Sequence, residues 1–318
     1  MVKNKAKKGG KPSIGFVGHG YVGKSYADNF AERGYPVIRY ALEEPYVANK
    51  PKIKECDIVF VAVPTPTVSA VASGEGGRRL PRFDGSIVES ALSLIKPGAI
   101  ALIKSTITPG TTRRLQKKFP KITILFSPEF LSVATAAYDT ANPFATVIGM
   151  PADDAKHREA AEMMLKIMPK APHQVICTSE EAEIYKYSHN VNGYMQIVTF
   201  NIMYDLAQKF GCDWEKIQRG IEADPNIPSR YSSPVDKGGR GAGGGCFIKD
   251  FAAFAELYGE MTGDKDGIAF LDAAAKKNLA LLTSTNKDLN LIKGVYGPQA
   301  VKRASSAGGR SYSGGKKR

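Results

Sequence analysis

The sequence has few cysteines and histidines and no long apolar run. Its 318 residues include four cysteines, four histidines and one tryptophan. Four cysteines without a CxxC pair are too sparse for a disulfide scaffold, and the cysteines and histidines lack the spacing of metal ligands. No apolar run approaches the roughly 18–20 residues that span a membrane, and no signal-peptide apolar region follows the lysine-rich start. We therefore expect a cytoplasmic protein with reduced thiols, no metal and no membrane partner.

Acidic residues are absent from both ends of the chain. The formal net charge is +13, yet residues 1–11 and 302–318 together carry eleven lysines and arginines and no acid. The rest has 33 basic residues against 31 acidic ones. This part of the chain therefore lacks the excess of positive charge that is typical of a nucleic-acid-binding domain. Both ends are rich in glycine, serine and lysine, and residues 1–11 and 294–318 are predicted to be disordered tails. These tails are interpreted either as solvated ends or as ends that bind a polyanion such as nucleic acid.

A glycine motif follows the first apolar run. Residues 13–17 fit a buried strand, the motif Gly18-x-Gly20-x-x-Gly23 comes next, and residues 24–33 have a helical pattern. Strand, glycine turn and helix are the context in which this motif binds a dinucleotide. The first glycine permits the tight turn, the second the approach of a pyrophosphate, and the third close packing of helix on strand.

Further apolar runs alternate with helical patterns. Residues 57–64, 99–103 and 122–126 fit buried strands, and residues 86–95 fit a helix. This alternation predicts an α/β fold with a doubly wound parallel, Rossmann-like sheet over residues 12–178. The loops after its strands are expected to gather at the ligand crevice.

The acid that usually holds the ribose of NAD is displaced. After the predicted strand 36–40, the nearest acids are Glu43 and Glu44, two or three positions late. Arg39 could instead favour the 2′-phosphate of NADP. NAD remains the favoured cofactor.

The second half has the pattern of a helical domain. Residues 179–293 are predicted to form an all-helical central domain with a long helix over about 180–210, which a capping box of Thr178 and Glu181 would start. Helical spacing places Glu183, Lys186, Asn190 and Asn201 near one face. Two interpretations stay open, a solvated polar stripe and a set of groups facing a wet cavity.

One cysteine stands in an unusual loop. Four glycines precede Cys246 between residues 241 and 245, Lys249 follows it, and a helix is predicted over residues 250–258. A cysteine at a helix start near a lysine is expected to have a lowered pKa and to react as a thiolate. The other three cysteines, Cys56, Cys177 and Cys212, lie in or beside apolar segments and are interpreted as small buried hydrophobic residues. A dinucleotide fold with a reactive thiol suggests oxidation of an alcohol through an aldehyde and a thioester to an acid.

Six motifs occur in order between residues 13 and 285, and together they resemble the UDP-glucose/GDP-mannose 6-dehydrogenase family. They are Gly18-x-Gly20-x-x-Gly23, Val61-Ala62-Val63-Pro64-Thr65-Pro66, Lys104-Ser105-Thr106-Ile107-Thr108-Pro109-Gly110-Thr111-Thr112, Ser127-Pro128-Glu129-Phe130-Leu131, Ala182-Glu183-x-x-Lys186-Tyr187-x-x-Asn190 and Gly244-Gly245-Cys246-Phe247-Ile248-Lys249-Asp250.

The resemblance implies a role for each matching residue. Cys246 would be the nucleophile, and Lys186 and Asn190 would stabilise oxyanions. Glu129 and Asp250 would activate the water molecule and transfer protons. Thr106 would position that water, while Phe130, Leu131 and Lys249 would hold the sugar. The residues expected to bind NAD are Gly18, Gly20, Tyr21, Val22, Gly23, Val63, Pro64, Thr65 and Ser105. The resemblance also implies a nucleotide-sugar substrate of the UDP-glucose type and a homodimer.

The sequence departs from the family at the displaced ribose acid and in the glycine- and arginine-rich residues 236–240, where substrate contacts are expected. It departs in two further places. Ser132-Val133-Ala134 replaces the usual Arg-Glu-Gly after Leu131, where sugar contacts are expected. Only 36 residues, most of them polar, basic or glycine, follow Leu282, whereas the family adds a third domain that binds the nucleotide end of the substrate. Two alternatives therefore remain: a catalytically impaired dimeric scaffold with polyanion-binding tails, and a single-step hydroxyacid dehydrogenase.

Overall fold

The structure, a computed structural model, describes residues 10–68 and 82–301. This part of the chain forms two compact units. The first comprises residues 10–65 and 84–186, and the second comprises residues 66–68, 82–83 and 187–301. Most of the two predicted tails lies outside the described residues.

Strands and helices alternate through the first unit, and helices dominate the second. In chain order the elements are β1 (Ile14–Val17), α1 (Tyr21–Glu32), β2 (Val37–Tyr40), a 3₁₀ segment (Val47–Glu55), β3 (Ile58–Val61), β4 (Thr67–Val68), β5 (Arg82–Phe83), α2 (Ser86–Leu92), β6 (Ile100–Ile103), α3 (Thr111–Lys118), β7 (Thr123–Phe126), α4 (Ala136–Ala141), β8 (Ala145–Met150), α5 (Ala155–Ile167), β9 (His173–Thr178), α6 (Ser179–Lys209), α7 (Trp214–Ala223), β10 (Val235–Asp236), β11 (Gly239–Arg240), α8 (Gly244–Thr262), α9 (Lys265–Ser284) and α10 (Leu289–Tyr296).

The first unit is built on a seven-stranded sheet with the order β2-β1-β3-β6-β7-β8-β9. The first five strands in this order are parallel to one another, and three of them, β1, β3 and β7, are buried along their whole length. Continuous apolar strands are typical of a parallel sheet covered on both faces. The Rossmann-like fold is therefore confirmed, and the strand order reverses between β1 and β3, where such sheets bind ligands.

The last two strands of the sheet, β8 and the edge strand β9, were not predicted. β8 is antiparallel to β7, which it meets where Phe126 lies opposite Gly149, and β9 runs parallel to β8. The residues of β9 are half-buried or exposed, so this edge strand lacks the continuous apolar run that identified the central ones.

An aromatic cluster fills the core on one face of the sheet. The rings of Phe16 and Phe60 stack with centroids 4.8 Å apart, and Phe30 of α1 meets Phe60 edge-on at 5.2 Å. These large side chains fix α1 on β1 and β3, and thereby place the start of α1 beside the ends of both strands.

The second unit packs the rest of α6 with α7–α10 and two short antiparallel strand pairs, β4–β5 and β10–β11. Its core centres on Tyr194 and Phe251, whose rings stack 3.8 Å apart. The long helix was predicted within one residue at each end. Its capping box is confirmed, because Glu181 accepts a hydrogen bond from the Thr178 amide at 2.8 Å and donates its own amide to the Thr178 hydroxyl.

The predicted start of the helix after the cysteine loop is wrong. A helix was expected from Asp250, whereas α8 begins six residues earlier, at Gly244. The run of glycines argues against a helix by propensity, but the Gly244 amide donates to the Asp288 carboxylate at 2.7 Å, which satisfies one of the free N–H groups at the helix start.

Two further features concern membrane-spanning helices and the exposure of the cysteines. No helix in the described ranges is both long and apolar enough to cross a membrane. Cys212 is exposed, so its interpretation as a buried residue is wrong, whereas Cys56 is buried as expected.

Candidate functional site

The glycine turn after β1 has the geometry that a dinucleotide requires. Gly18 has a φ of +93°, and a Cβ there would lie 2.2 Å from the Ala62 carbonyl oxygen. A Cβ on Gly23 would lie 2.0 Å from the Gly18 carbonyl oxygen, while the space beside Gly20 is open. α1 begins at Tyr21 with Gly20 as its N-cap, so its first free amides can receive a phosphate. These residues fit the pyrophosphate of NAD.

Arg39 is already paired near the end of β2. Its guanidinium Nη1 lies 2.6 Å from Asp28 Oδ1, and Lys24 binds the other oxygen of the same carboxylate at 2.7 Å. Ala41 stands at the end of the strand, and Glu43 and Glu44 are exposed. The ion pair to Asp28 offsets the charge with which Arg39 would attract a 2′-phosphate.

Two loops predicted to bind the cofactor are joined by Ser105. Its hydroxyl accepts a hydrogen bond from the Val63 amide at 2.9 Å and donates to the Val63 carbonyl at 2.7 Å. Ser105 follows β6, and Val63, Pro64 and Thr65 follow β3. The structure therefore brings these four sequence-predicted residues together at the carboxyl edge of the sheet.

Glu129 lies among several charged groups in the first unit. Its main-chain carbonyl accepts a hydrogen bond from Lys186 Nζ at 2.5 Å, and Lys186 also lies over the Phe130 ring, 5.2 Å from its centroid. Lys104, at the end of β6, places its Nζ 3.0 Å from Glu129 Oε2. Three of the predicted site residues thus meet, together with a lysine to which no role was assigned from the sequence.

Two more predicted residues of this unit, Thr106 and Leu131, are close to that group in the sequence. Thr106 follows Ser105 and is partly exposed. Leu131 is partly buried against the core of the sheet.

Glu183 is fully buried and caps α3. Its carboxylate accepts hydrogen bonds from the Gly110 amide at 2.6 Å, the Thr112 amide at 2.9 Å and the Thr112 hydroxyl at 2.6 Å. Burial raises the pKa of Glu183 to about 7. Lys186 and Asn190 are buried as well, so the interpretation of these positions as a solvated stripe is wrong.

Replacement of Glu183 by glutamine is expected to remove a pH dependence of stability. The pKa of Glu183 is higher in the folded chain than its ordinary value of 4.5, so its contribution is complete at acidic pH and is lost as the pH rises through 7. Between about pH 5 and pH 8, the wild type should lose up to roughly 3 kcal/mol of unfolding free energy that the variant does not lose. Urea unfolding across this range measures the difference, with exposed Glu159→Gln as control. Parallel profiles for wild type and Glu183→Gln would contradict it.

Cys246 lies in the first turn of α8 and is a free, exposed thiol. The chain before it is held by a side chain of α9. Asn278 accepts a hydrogen bond from the Ala242 amide at 2.6 Å and donates to the Ala242 carbonyl at 3.0 Å. A Cβ on Gly243 would lie 2.1 Å from Asp288 Oδ2, so this glycine is required by a close contact.

Two other predicted site residues, Asn190 and Lys249, converge on Asp250. Its buried carboxylate accepts a hydrogen bond from Asn190 Nδ2 at 2.6 Å and forms an ion pair with Lys249. Asn190 comes from α6, while Lys249 and Asp250 come from α8. The second unit therefore presents an oriented amide and a paired carboxylate on the helix that carries the thiol.

Sequence reasoning missed three residues that shape these sites. Lys104 opens a motif already noted, but nothing in the motif indicates that its side chain is buried. Asn278 is a polar residue among alanines and leucines of α9, which is a signal that could have been used. Asp288 gives no such signal, because only the folded chain places it beside Gly244.

Comparison with known proteins gives a consistent result for both units. Two sequence models of the UDP-glucose/GDP-mannose dehydrogenase family match, the NAD-binding domain over residues 46–168 and the central domain over residues 180–279. The chain is 29% identical over 214 residues to a UDP-glucose 6-dehydrogenase of Rhizobium meliloti, covering 65% of this chain and 47% of that protein. It is 27% identical over 282 residues to the UDP-glucose 6-dehydrogenase AglM of Haloferax volcanii, covering 76% and 64%.

A solved structure is also similar. A UDP-glucose dehydrogenase from Pyrobaculum islandicum superimposes with a TM-score of 0.70 and 25% identity, over 91% of this chain and 72% of that one. The chain spans about half the length of the Rhizobium relative and just under two thirds of the Haloferax one.

Proposed function

Because this chain belongs to the UDP-glucose/GDP-mannose dehydrogenase family, we propose that it oxidises the C6 alcohol of a nucleotide sugar of the UDP-glucose type to the uronic acid. The observation that carries the proposal is the exposed thiol of Cys246 in the first turn of α8. A thiolate is the nucleophilic form of cysteine, and the start of a helix favours a negative charge.

The proposed chemistry takes two oxidations. The C6 alcohol first loses a hydride and a proton, which gives an aldehyde. The Cys246 sulfur then adds to the aldehyde carbon, and the resulting thiohemiacetal loses a second hydride and a proton to become a thioester. Water cleaves the carbon–sulfur bond, which yields the acid and restores the thiol. NAD held at the glycine turn would accept one hydride at each oxidation, so two NADH accompany each product.

Lys186 and Asn190 are proposed to stabilise the negative oxygen of these intermediates. Groups fixed before the reaction lower its barrier most, because they need no reorganisation as charge develops. Lys186 is held by the Glu129 carbonyl and the Phe130 ring, and Asn190 is held by Asp250. Both donors therefore have a defined orientation that suits this role.

Glu129 and Asp250 are proposed to move protons and activate the water of the last step, with Thr106 positioning that water. Carboxylates act as general bases when they are ionised near the reacting group. Phe130, Leu131 and Lys249 are proposed to contact the sugar. The exposed start of α8 and the partly exposed Phe130 are consistent with access for a substrate.

The expectations about the substrate, the oligomeric state, the cellular location and the binding partners stay predictions. They are the nucleotide-sugar substrate, the homodimer, the cytoplasmic location and any polyanion bound by the basic tails.

The proposal is tested by the ratio of NADH to product. The chain is incubated with NAD and a panel of UDP- and GDP-sugars, NADH is followed by absorbance, and the sugar product is identified by mass spectrometry. Two NADH per uronic acid are expected. One NADH per oxidised product would contradict the two-step proposal and favour a single-step dehydrogenase. No turnover with any sugar would favour a scaffold.

A further inference from the structure

Lys104 is a buried lysine to which the mechanism above assigns no role. It directly follows β6, at the start of the loop that carries Ser105 and Thr106. Only 2% of its side chain is exposed. A buried ammonium group is costly unless it is paired and hydrogen-bonded. Its partners therefore indicate what it does.

Three oxygen atoms surround the Lys104 ammonium group. They are Glu129 Oε2 at 3.0 Å, the Ser127 hydroxyl at 3.1 Å and the Pro128 carbonyl at 3.3 Å. The ring of Tyr26 covers it, with the centroid 4.6 Å away. The hydroxyl and the carbonyl accept hydrogen bonds from the ammonium group, and the carboxylate forms an ion pair with it. Within the described ranges, Glu129 is the carboxylate that forms an ion pair with Lys104.

The Glu129 carboxylate in turn depends on Lys104 for its counter-charge. The described residues give its Oε2 atom no hydrogen bond of regular geometry. The charge of Lys104 and a side-chain hydrogen bond with Tyr26 compensate the burial of the carboxylate. The other carboxylate oxygen accepts a hydrogen bond from the Phe130 amide at 2.9 Å. The carboxylate is thus held in place at both oxygens.

The charged groups that face Glu129 come from three elements. They are Lys104 at the end of β6, Tyr26 of α1 and Lys186 of α6, which binds the Glu129 carbonyl. Burial lowers the pKa of Lys104, and the Glu129 carboxylate opposes that shift. Burial and the same carboxylate raise the pKa of Tyr26 well above its ordinary value. Tyr26 therefore stays neutral, and the pair of opposite charges is Lys104 with Glu129.

We propose that Lys104 is a positioning residue that keeps Glu129 ionised and fixes its carboxylate for the activation of water in thioester cleavage. This role rests on the proposed function, because it assigns Glu129 to that step. Removal of the lysine leaves a buried carboxylate without its counter-charge, which favours the protonated form. A protonated Glu129 cannot accept a proton from water, so cleavage of the thioester slows while both oxidations proceed.

The test replaces Lys104 by methionine, which preserves length and removes charge. The matched control is Lys96→Met, because Lys96 also forms an ion pair, with Asp57 at 3.1 Å, at a more exposed site. If Lys104→Met fails to fold, Lys104→Gln keeps a hydrogen-bond donor for Ser127 and Pro128 and is used instead. Circular dichroism establishes that each variant is folded.

The first readout needs no turnover. Because Glu183 has a pKa of about 7, every variant contains one partly protonated carboxyl group at pH 7. Infrared difference spectra at pH 7 should therefore show an additional carboxylic-acid band in Lys104→Met that the wild type and Lys96→Met lack, and this additional band should disappear when Glu129→Gln is added. Absence of this band in a folded variant would overturn the proposal. Its presence in an enzyme that oxidises no sugar would sustain the ion-pair role and refute the proposed function, so the two failures are distinguishable.

The second readout is the fate of the thioester. Intact-mass spectrometry during turnover should find Lys104→Met loaded with the sugar acyl group, with acid release slowed about tenfold or more at pH 7. The rate should recover at higher pH, where Glu129 ionises again. A loss that does not depend on pH, or an equal loss in Lys96→Met, would contradict a positioning role.

Discussion

Replacement of Cys246 by alanine is expected to abolish formation of the uronic acid, with a loss of turnover on the order of 10⁴-fold or more. The proposed thiohemiacetal and thioester are both bonds to this sulfur, and no other group in the mechanism can replace it. The Cys246 side chain is exposed in the first turn of α8, so its truncation leaves no core cavity. The fold, its stability and the binding of NAD at the glycine turn should therefore remain unchanged.

The control for this variant is Cys212→Ala. Cys212 is also a free and exposed cysteine, and the substitution removes the same atom. NADH release and product mass are measured for both variants, and NAD affinity by fluorescence titration. Equal acid formation by Cys246→Ala and wild type would exclude a covalent sulfur intermediate. Equal losses in both variants would point to a general effect of cysteine removal.

Replacement of Asn278 by alanine is expected to lower the free energy of unfolding by about 2–4 kcal/mol. The side chain is almost fully buried, and its amide forms two hydrogen bonds with the main chain of Ala242. Truncation leaves a buried N–H and a buried C=O without these partners, and each unsatisfied group costs roughly 1–3 kcal/mol. Loss of the same bonds releases the segment that leads into Cys246, so turnover should fall as well.

Urea unfolding of the wild type and the variant measures the effect. Asn290→Ala is the matched control, because Asn290 lies on the neighbouring helix α10 and is exposed; a change within about 0.5 kcal/mol is expected there. A similarly small change in Asn278→Ala would contradict the role of these hydrogen bonds. Unchanged turnover in a destabilised variant would show that Ala242 keeps its place without the side chain.

The parts of the fold that the sequence predicted well rest on local patterns. The glycine turn was recognised because strand, motif and helix follow one another within 20 residues, and the long helix α6 because its capping box and apolar spacing are both local. The start of α8 was missed for the opposite reason. Glycine is a poor helix former, and the carboxylate that satisfies the Gly244 amide lies 44 residues further along the chain.

The same distinction applies to the candidate site. Residues on recognised motifs, such as Glu129 and Lys186, were found from their order in the sequence. Their supporting partners were not, because these contacts join distant segments. Lys104 meets Glu129 across 25 positions of the chain, and Asn278 meets Ala242 across 36. Spacing within one helix also could not distinguish a solvated face from a buried one, and only packing decided it for Glu183.

Because Glu183 is buried, its charge in the folded protein depends on the pH of the buffer near neutrality. With its pKa raised to about 7, this carboxyl group changes charge close to neutral pH. Samples held on either side of neutrality contain different protonation states at the start of α3. A ligand-bound crystal and a kinetic assay prepared at different pH values would therefore describe two electrostatic forms of the same loop, and their comparison requires a common pH.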